Sequence, residues 1–163
     1  MTIPQAAPWQ NRIVNSGVKP ASEFLANPFN FRVHTALQSR ALAGSLDSLG
    51  WIDDVIVNVT TGRLIDGHLR VAMALAAGDE PVPYKEVELS ETEELQAMLS
   101  LDPISAMAGR DSSILATVLE QIESEDERVL EFLETLRDKT MSDPLPKDES
   151  KIGRETPVHH CPS

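Results

Sequence analysis

Basic residues are scarce in this chain. It carries 14 Lys and Arg against 26 Asp and Glu, a formal net charge of -12. The shortfall is local. Residues 1–85 hold seven side chains of each sign, whereas residues 86–163 hold seven basic and nineteen acidic ones. Non-specific DNA binding depends on Lys and Arg neutralising phosphates. The second half could supply that only with metal ions or a basic partner, so any direct DNA contact is expected from the neutral first half. Cysteine is nearly absent, and the lone Cys161 excludes an internal disulfide. No apolar run approaches the roughly 20 residues of a membrane span, and the N-terminus shows no secretory signal pattern. The expectation is a cytoplasmic protein with no membrane segment. What remains, at 163 residues, 41% hydrophobic and 25% charged, suits one globular domain with a tail.

Residues 1–18 are rich in Pro and polar side chains without a clear period and read as a loosely ordered lead-in. Lys19 to Leu25 suggests a short turn or strand. From His34 to Leu49 the pattern is helical, with Leu42, Leu46 and Leu49 on one face and Gly50 as the stop. Val55 to Val59 is a β-branched run that predicts a strand. Thr60-Thr61-Gly62 reads as a hairpin connection, Arg63 to Ile65 as its return strand, and His68 to Ala77 as a helix stopped by Gly78. Pro81 to Leu89 alternates partway, and its two prolines predict an edge strand.

Beyond Leu89 the pattern is helical, near 91–101, 111–123 and 126–138, with Asp102-Pro103 expected to break off a short segment over 104–108. Ser90 with Glu93 and Ser124 with Glu127 both fit the reciprocal capping box at a helix start. The predicted organisation is a lead-in over 1–18, a core domain over 19–90, an acidic helical extension over 91–138 packed on the core, and a disordered tail over 139–163. The tail ends in His159-His160-Cys161, which has metal-ligand chemistry but no second pair to complete a zinc site. It reads as an inert tail or as half of a zinc knuckle.

Chemistry concentrates between Gly62 and Arg70, where strand, tight turn and helix start meet a Gly, a His and an Arg. Backbone amides at a helix N-terminus, opened by Gly67 and flanked by a guanidinium, form a ready anion site. Arg70 is placed to grip a phosphate or to pair with Asp66. His68 reads as a phosphate donor, as a proton-transfer group, or as a helix-start residue with no chemistry. Asp66 could hold a phosphate-bridging metal or simply form the turn. Arg32 is a second candidate cation or a solvated loop residue. No metal-binding cluster is legible.

These pieces, in order, resemble the ParB/sulfiredoxin-like superfamily, specifically the ParB N-terminal or "ParB-like nuclease" domain, over about Asn27 to Ala108. Asn27-Pro28-Phe29-Asn30-Phe31-Arg32 is similar to the family's opening Asn-Pro…Arg box. Leu46 to Val57 is similar to its helix–Gly–strand segment, Leu64 to Ala72 to its Gly-x-x-Arg loop and helix, and Val82-Pro83 to the next strand. The Asp-Gly-His-x-Arg loop and the later Leu101-Asp102-Pro103-Ile104 resemble the variants of phages and mobile elements or those associated with DNA methyltransferases. The resemblance implies an α+β fold, a small mixed β-sheet with packed helices, followed here by an α-helical extension.

The resemblance also implies a nucleotide- or phosphate-binding module in DNA metabolism, serving partition, modification or packaging. Gly67, His68, Arg70 and Arg32 would hold the phosphates and His68 and Asp66 any catalysis, with magnesium and a nucleoside triphosphate (CTP or ATP) as cofactors. Partition members carry Gly-Glu-Arg-Arg where this chain has Gly67-His68-Leu69-Arg70, and an Asn motif where it has Met98 to Asp102, which argues against CTP hydrolysis. Sulfiredoxins require a cysteine where His68 stands, so that chemistry is excluded. Two alternatives remain open: an enzyme, either a metal-dependent DNA nuclease or a small-molecule phosphotransferase, and an acidic interaction subunit docking on a partner such as a DNA methyltransferase or terminase. A nuclease would want clustered carboxylates, for which only Asp66, with Asp53 and Asp54, is available.

Overall fold

The computed structural model describes residues 8–106 and 108–142. Four strands form one mixed sheet: β1 (Ile13–Pro20), β2 (Val55–Asn58), β3 (Leu64–Asp66) and β4 (Pro81–Val87), in the order β1-β4-β2-β3. A 3-10 turn spans Ala21–Glu23, and five helices follow: α1 (Ala36–Leu49), α2 (His68–Ala76), α3 (Glu91–Ala106), α4 (Ser112–Gln121) and α5 (Glu127–Ser142). This is the α+β class expected from the sequence.

β2 and β3 form the antiparallel hairpin that Thr60-Thr61-Gly62 predicted. Gly62 takes a φ of +72°, and its N–H donates to Asn58 O at 2.7 Å. The chain then crosses through α2 and returns as β4, which pairs parallel with β2 and antiparallel with β1. β4 is thus an interior strand, not the edge its prolines suggested. The prolines are tolerated because β2 joins β4 only from Tyr84 onward; Pro81 and Pro83 lie before that point, flanked by β1 alone.

β1 itself corrects the reading of residues 1–18, since Ile13–Pro20 is an eight-residue strand. Its residues are almost all exposed, so it carries no burial alternation. It is held by its ladder to β4 and by Lys19, whose Nζ lies 4.5 Å from the Phe24 ring and 4.9 Å from that of Tyr84.

The core is small. Val55, Val57, Leu64 and Val82 from the sheet meet Val71 and Ala74 from α2 and Ala21 from the 3-10 turn, with Phe24, Trp51 and Tyr84 at the margin. A polar knot fixes α3 to the hairpin. Glu94, 1% exposed, accepts from Thr61 Oγ1 at 2.5 Å and Asn58 Nδ2 at 3.3 Å, with Arg63 Nη1 at 3.9 Å. The Ser90/Glu93 box forms as expected, Ser90 N–H donating to Glu93 Oε2 at 2.8 Å and Glu93 N–H to Ser90 Oγ at 3.2 Å.

α3 runs through Asp102-Pro103 rather than breaking there; a proline removes one hydrogen bond and bends a helix without having to end it. At α5 the cap is Asp126, not Ser124. Asp126 Oδ1 accepts from Arg128 N–H at 2.9 Å, while Ser124 Oγ accepts from Asp126 N–H. α5 packs along α1, where Arg128 bridges Asp126 and Asp47, each at 2.6 Å, and Arg40 meets Glu131 at 2.7 Å. α5 continues to Ser142, into the segment read as a tail; residues 143–163, including His159-His160-Cys161, lie outside the described residues. Among the described residues no helix is long and apolar enough to cross a membrane.

Candidate functional site

The site forms where β3 ends and α2 begins. Gly67 takes a left-handed φ of +95° at the N-cap of α2. A Cβ there would collide with Val55, reaching its Cβ at 2.7 Å. Only glycine satisfies both demands. The first bond of α2 runs from Val71 N–H to Gly67 O at 3.0 Å, and no side chain caps this end. The amides of His68, Leu69 and Arg70 therefore precede the helical ladder and carry the positive end of its dipole.

A cavity of about 290 Å³ opens at this helix start. Asp66, Gly67, His68 and Arg70 line it from the loop, Arg32, His34 and Asp53 from flanking segments, and Gln38 and Leu42 from α1. The structure thus brings Arg32, Asp66, Gly67, His68 and Arg70 together in one cavity, while Asp54 is not among its lining residues.

Their partners define what each can do. Arg70 Nη2 pairs with Asp66 Oδ2 at 2.8 Å, while Nη1 reaches Asp53 Oδ2 at 3.3 Å and donates to the Asp53 carbonyl at 3.2 Å. Arg32 approaches the other oxygen of the same carboxylate, with Nη2 3.8 Å from Asp66 Oδ1, and its Nη1 donates to Ile65 O at 3.3 Å. Asp66 thus spans both guanidiniums, which are largely buried.

His68 Nε2 accepts from Asn27 N–H at 3.0 Å. A neutral ring that accepts at Nε2 carries its proton on Nδ1, and His68 Nδ1 is buried without a partner among the described residues. Burial pushes the His68 ring below its usual range, Arg32 and His34 push the same way, and Asp66 opposes them. His34 Nδ1 lies 3.1 Å from Gln38 Oε1, and its Nε2 is likewise buried and unmatched among the described residues.

The sequence places Asp53 only among candidate nuclease carboxylates and Asn27 only in the Asn-Pro box, yet the hairpin register carries the signal for Asp53. Ile56 pairs antiparallel with Asp66, so residues just before Ile56 must lie beside those just after Asp66. Asn27 carried a turn signature: its side-chain oxygen accepts from Phe29 N–H at 3.0 Å, which aims its own N–H at the His68 ring. Among the described residues no group of three or more His, Cys, Asp or Glu is placed to hold a metal ion; Asp53 and Asp66 converge on Arg70 instead.

A comparison with protein-family models and with curated proteins finds no match. Among solved structures the chain is similar to a C-terminally truncated chromosome-partitioning ParB of Caulobacter crescentus complexed with CTP-γ-S. The TM-score is 0.56 at 19% identity, over 78% of this chain and 77% of that one. Two structures of pNOB8-like ParB N-domains are also found, at 12% identity and TM-scores of 0.46 and 0.49, covering 52% and 49% of their own chains. With the mixed sheet, the helix order and the Gly67 turn in place, the chain has a ParB-like fold.

Proposed function

We propose that this chain is a ParB-like module that binds a nucleotide by its phosphates in the cavity at the start of α2. One observation carries the reading: two guanidiniums and His68, whose Nδ1 has no partner among the described residues, line one cavity at a helix N-terminus that no described side chain caps. Each is a donor suited to phosphate oxygens. The ligand of the Caulobacter crescentus neighbour, a CTP analogue, supports a nucleotide over inorganic phosphate. His68 acts as a donor from Nδ1, because its Nε2 is already engaged by Asn27. Asp66 positions Arg32 and Arg70 around it. Magnesium, when present, arrives with the phosphates, since among the described residues no cluster of carboxylates is placed to hold it. The setting we infer is cytoplasmic DNA metabolism of a phage or mobile element, in company with a protein such as a DNA methyltransferase or terminase. That setting is supported by the Asp-Gly-His-x-Arg loop and its family resemblance.

Calorimetric titration with CTP, ATP and GTP in magnesium tests the site. At least one nucleotide should bind the wild type, and Arg70→Ala should weaken that binding by roughly tenfold or more, the worth of a charge-assisted pair. Absence of binding at millimolar nucleotide, or equal affinity in the variant, would overturn the reading.

A further inference from the structure

The same cavity holds charges that oppose an anion. Asp66 and Asp53 both face Arg70, so the two guanidiniums are balanced by two carboxylates before any ligand enters. The two carboxylates differ. Asp66 lies between both arginines and is mostly covered, with a side-chain exposure of 24%. Asp53 pairs with Arg70 and with no other cation among the described residues, has a side-chain exposure of 67%, and stands at the rim. Arg70 does not depend on the Asp53 side chain for its position, because the Asp53 main-chain carbonyl also accepts from it and Asp66 holds its other nitrogen. The Asp53 carboxylate is therefore expendable for building the site, yet it sits where a phosphate on Arg70 would have to sit.

Resting on the nucleotide reading above, we propose that Asp53 is a specificity-determining residue that makes the site select a cation-neutralised polyphosphate over the bare polyanion. A free triphosphate approaching Arg70 meets a carboxylate already on that guanidinium and must displace it against like-charge repulsion. A triphosphate carrying a divalent cation brings less negative charge, and the cation can face Asp53 through its water shell. Discrimination arises from one exposed carboxylate in a partly screened position, so its size is modest, on the order of fivefold.

The test is a titration of wild type, Asp53→Asn and Glu120→Gln with the tightest-binding nucleotide, each with magnesium and with chelator. Glu120 lies exposed on α4, and its substitution controls for the loss of one negative charge anywhere in the chain. The wild type should bind the magnesium form more tightly than the free form. Asp53→Asn should tighten the free form by roughly three- to tenfold and narrow the gap between the two, while Glu120→Gln leaves both unchanged. Free-form affinity in Asp53→Asn equal to or weaker than wild type, or an equal gain in Glu120→Gln, would overturn the role of Asp53 while leaving the nucleotide site standing. A wild type that binds neither form overturns both readings. Thermal melts of the variants separate a change in affinity from a change in folding.

Discussion

At the scale of single residues, Gly67 and His68 decide the site between them. Gly67→Ala places a side chain at a φ of +95° and drives it into Val55, which should destabilise the protein by about 2–4 kcal/mol in urea unfolding. Gly62 makes the contrast. Its φ is also positive, but nothing lies within 4 Å of an added Cβ, so Gly62→Ala should lose only about 1 kcal/mol. Equal losses would show that the contact with Val55 does not matter. His68 should titrate below 6.5 in the folded protein, with burial as the main cause, as read from its ring proton shifts by NMR. Between that lowered value and 6.5 the unfolded chain binds more protons than the folded one. Stability should therefore rise with pH across that window and fall on acidification. A His68 midpoint above 6.5 would contradict the buried, accepting geometry. Phosphate binding near Nδ1 should move the midpoint upward.

At the scale of elements, two joints hold the helices to the sheet. Glu94→Ala should cost about 2–4 kcal/mol, because it strips α3 of its polar anchor and leaves buried Asn58 with an unmet donor; a loss below about 0.5 kcal/mol in chemical unfolding would show that the knot is idle. The joint between α1 and α5 is ionic. The Arg128 guanidinium holds the Asp126 carboxyl down to about 2. The contribution of that depressed carboxylate is fully present above its unfolded value near 3.8 and is lost as pH falls toward 2. Acid titration followed by circular dichroism should show this loss in wild type and its absence in Asp126→Asn.

These elements also show where sequence reading succeeded. Helix α1 with its Gly50 stop and the β2–β3 hairpin were legible from local propensity, but the face of Leu42, Leu46 and Leu49 is not the buried one: α1 buries Ala41 and Gly44, and Leu49 is exposed. β1 was not, since a strand exposed along nearly its whole length leaves no alternation to read. β4 was misplaced because its proline rule is local, whereas its second neighbour, β2, is chosen by the path through α2. In the site, Gly67, His68 and Arg70 announced themselves by adjacency; Asp53 became visible only through strand register.

At the scale of the molecule, the excess of acid beyond residue 85 and the two arginines of the cavity act in opposite directions. A net charge of -12 should keep non-specific affinity for duplex DNA weaker than roughly 100 μM at physiological salt; anisotropy with a labelled random duplex measures this, and micromolar binding would refute it. The sheet imposes a different kind of constraint, one of time. Ile13 pairs with Val87 and Pro20 with Pro81, so every β1 partner lies more than sixty residues downstream. Pairing across such a span is slow compared with closing the β2–β3 hairpin. On the ribosome β1 emerges first, yet it has no place to go until α2 and β4 have followed. The first of these four strands to emerge is thus the last to be seated, and until β4 arrives the backbone N–H and C=O groups of Ile13–Pro20 have no strand to pair with.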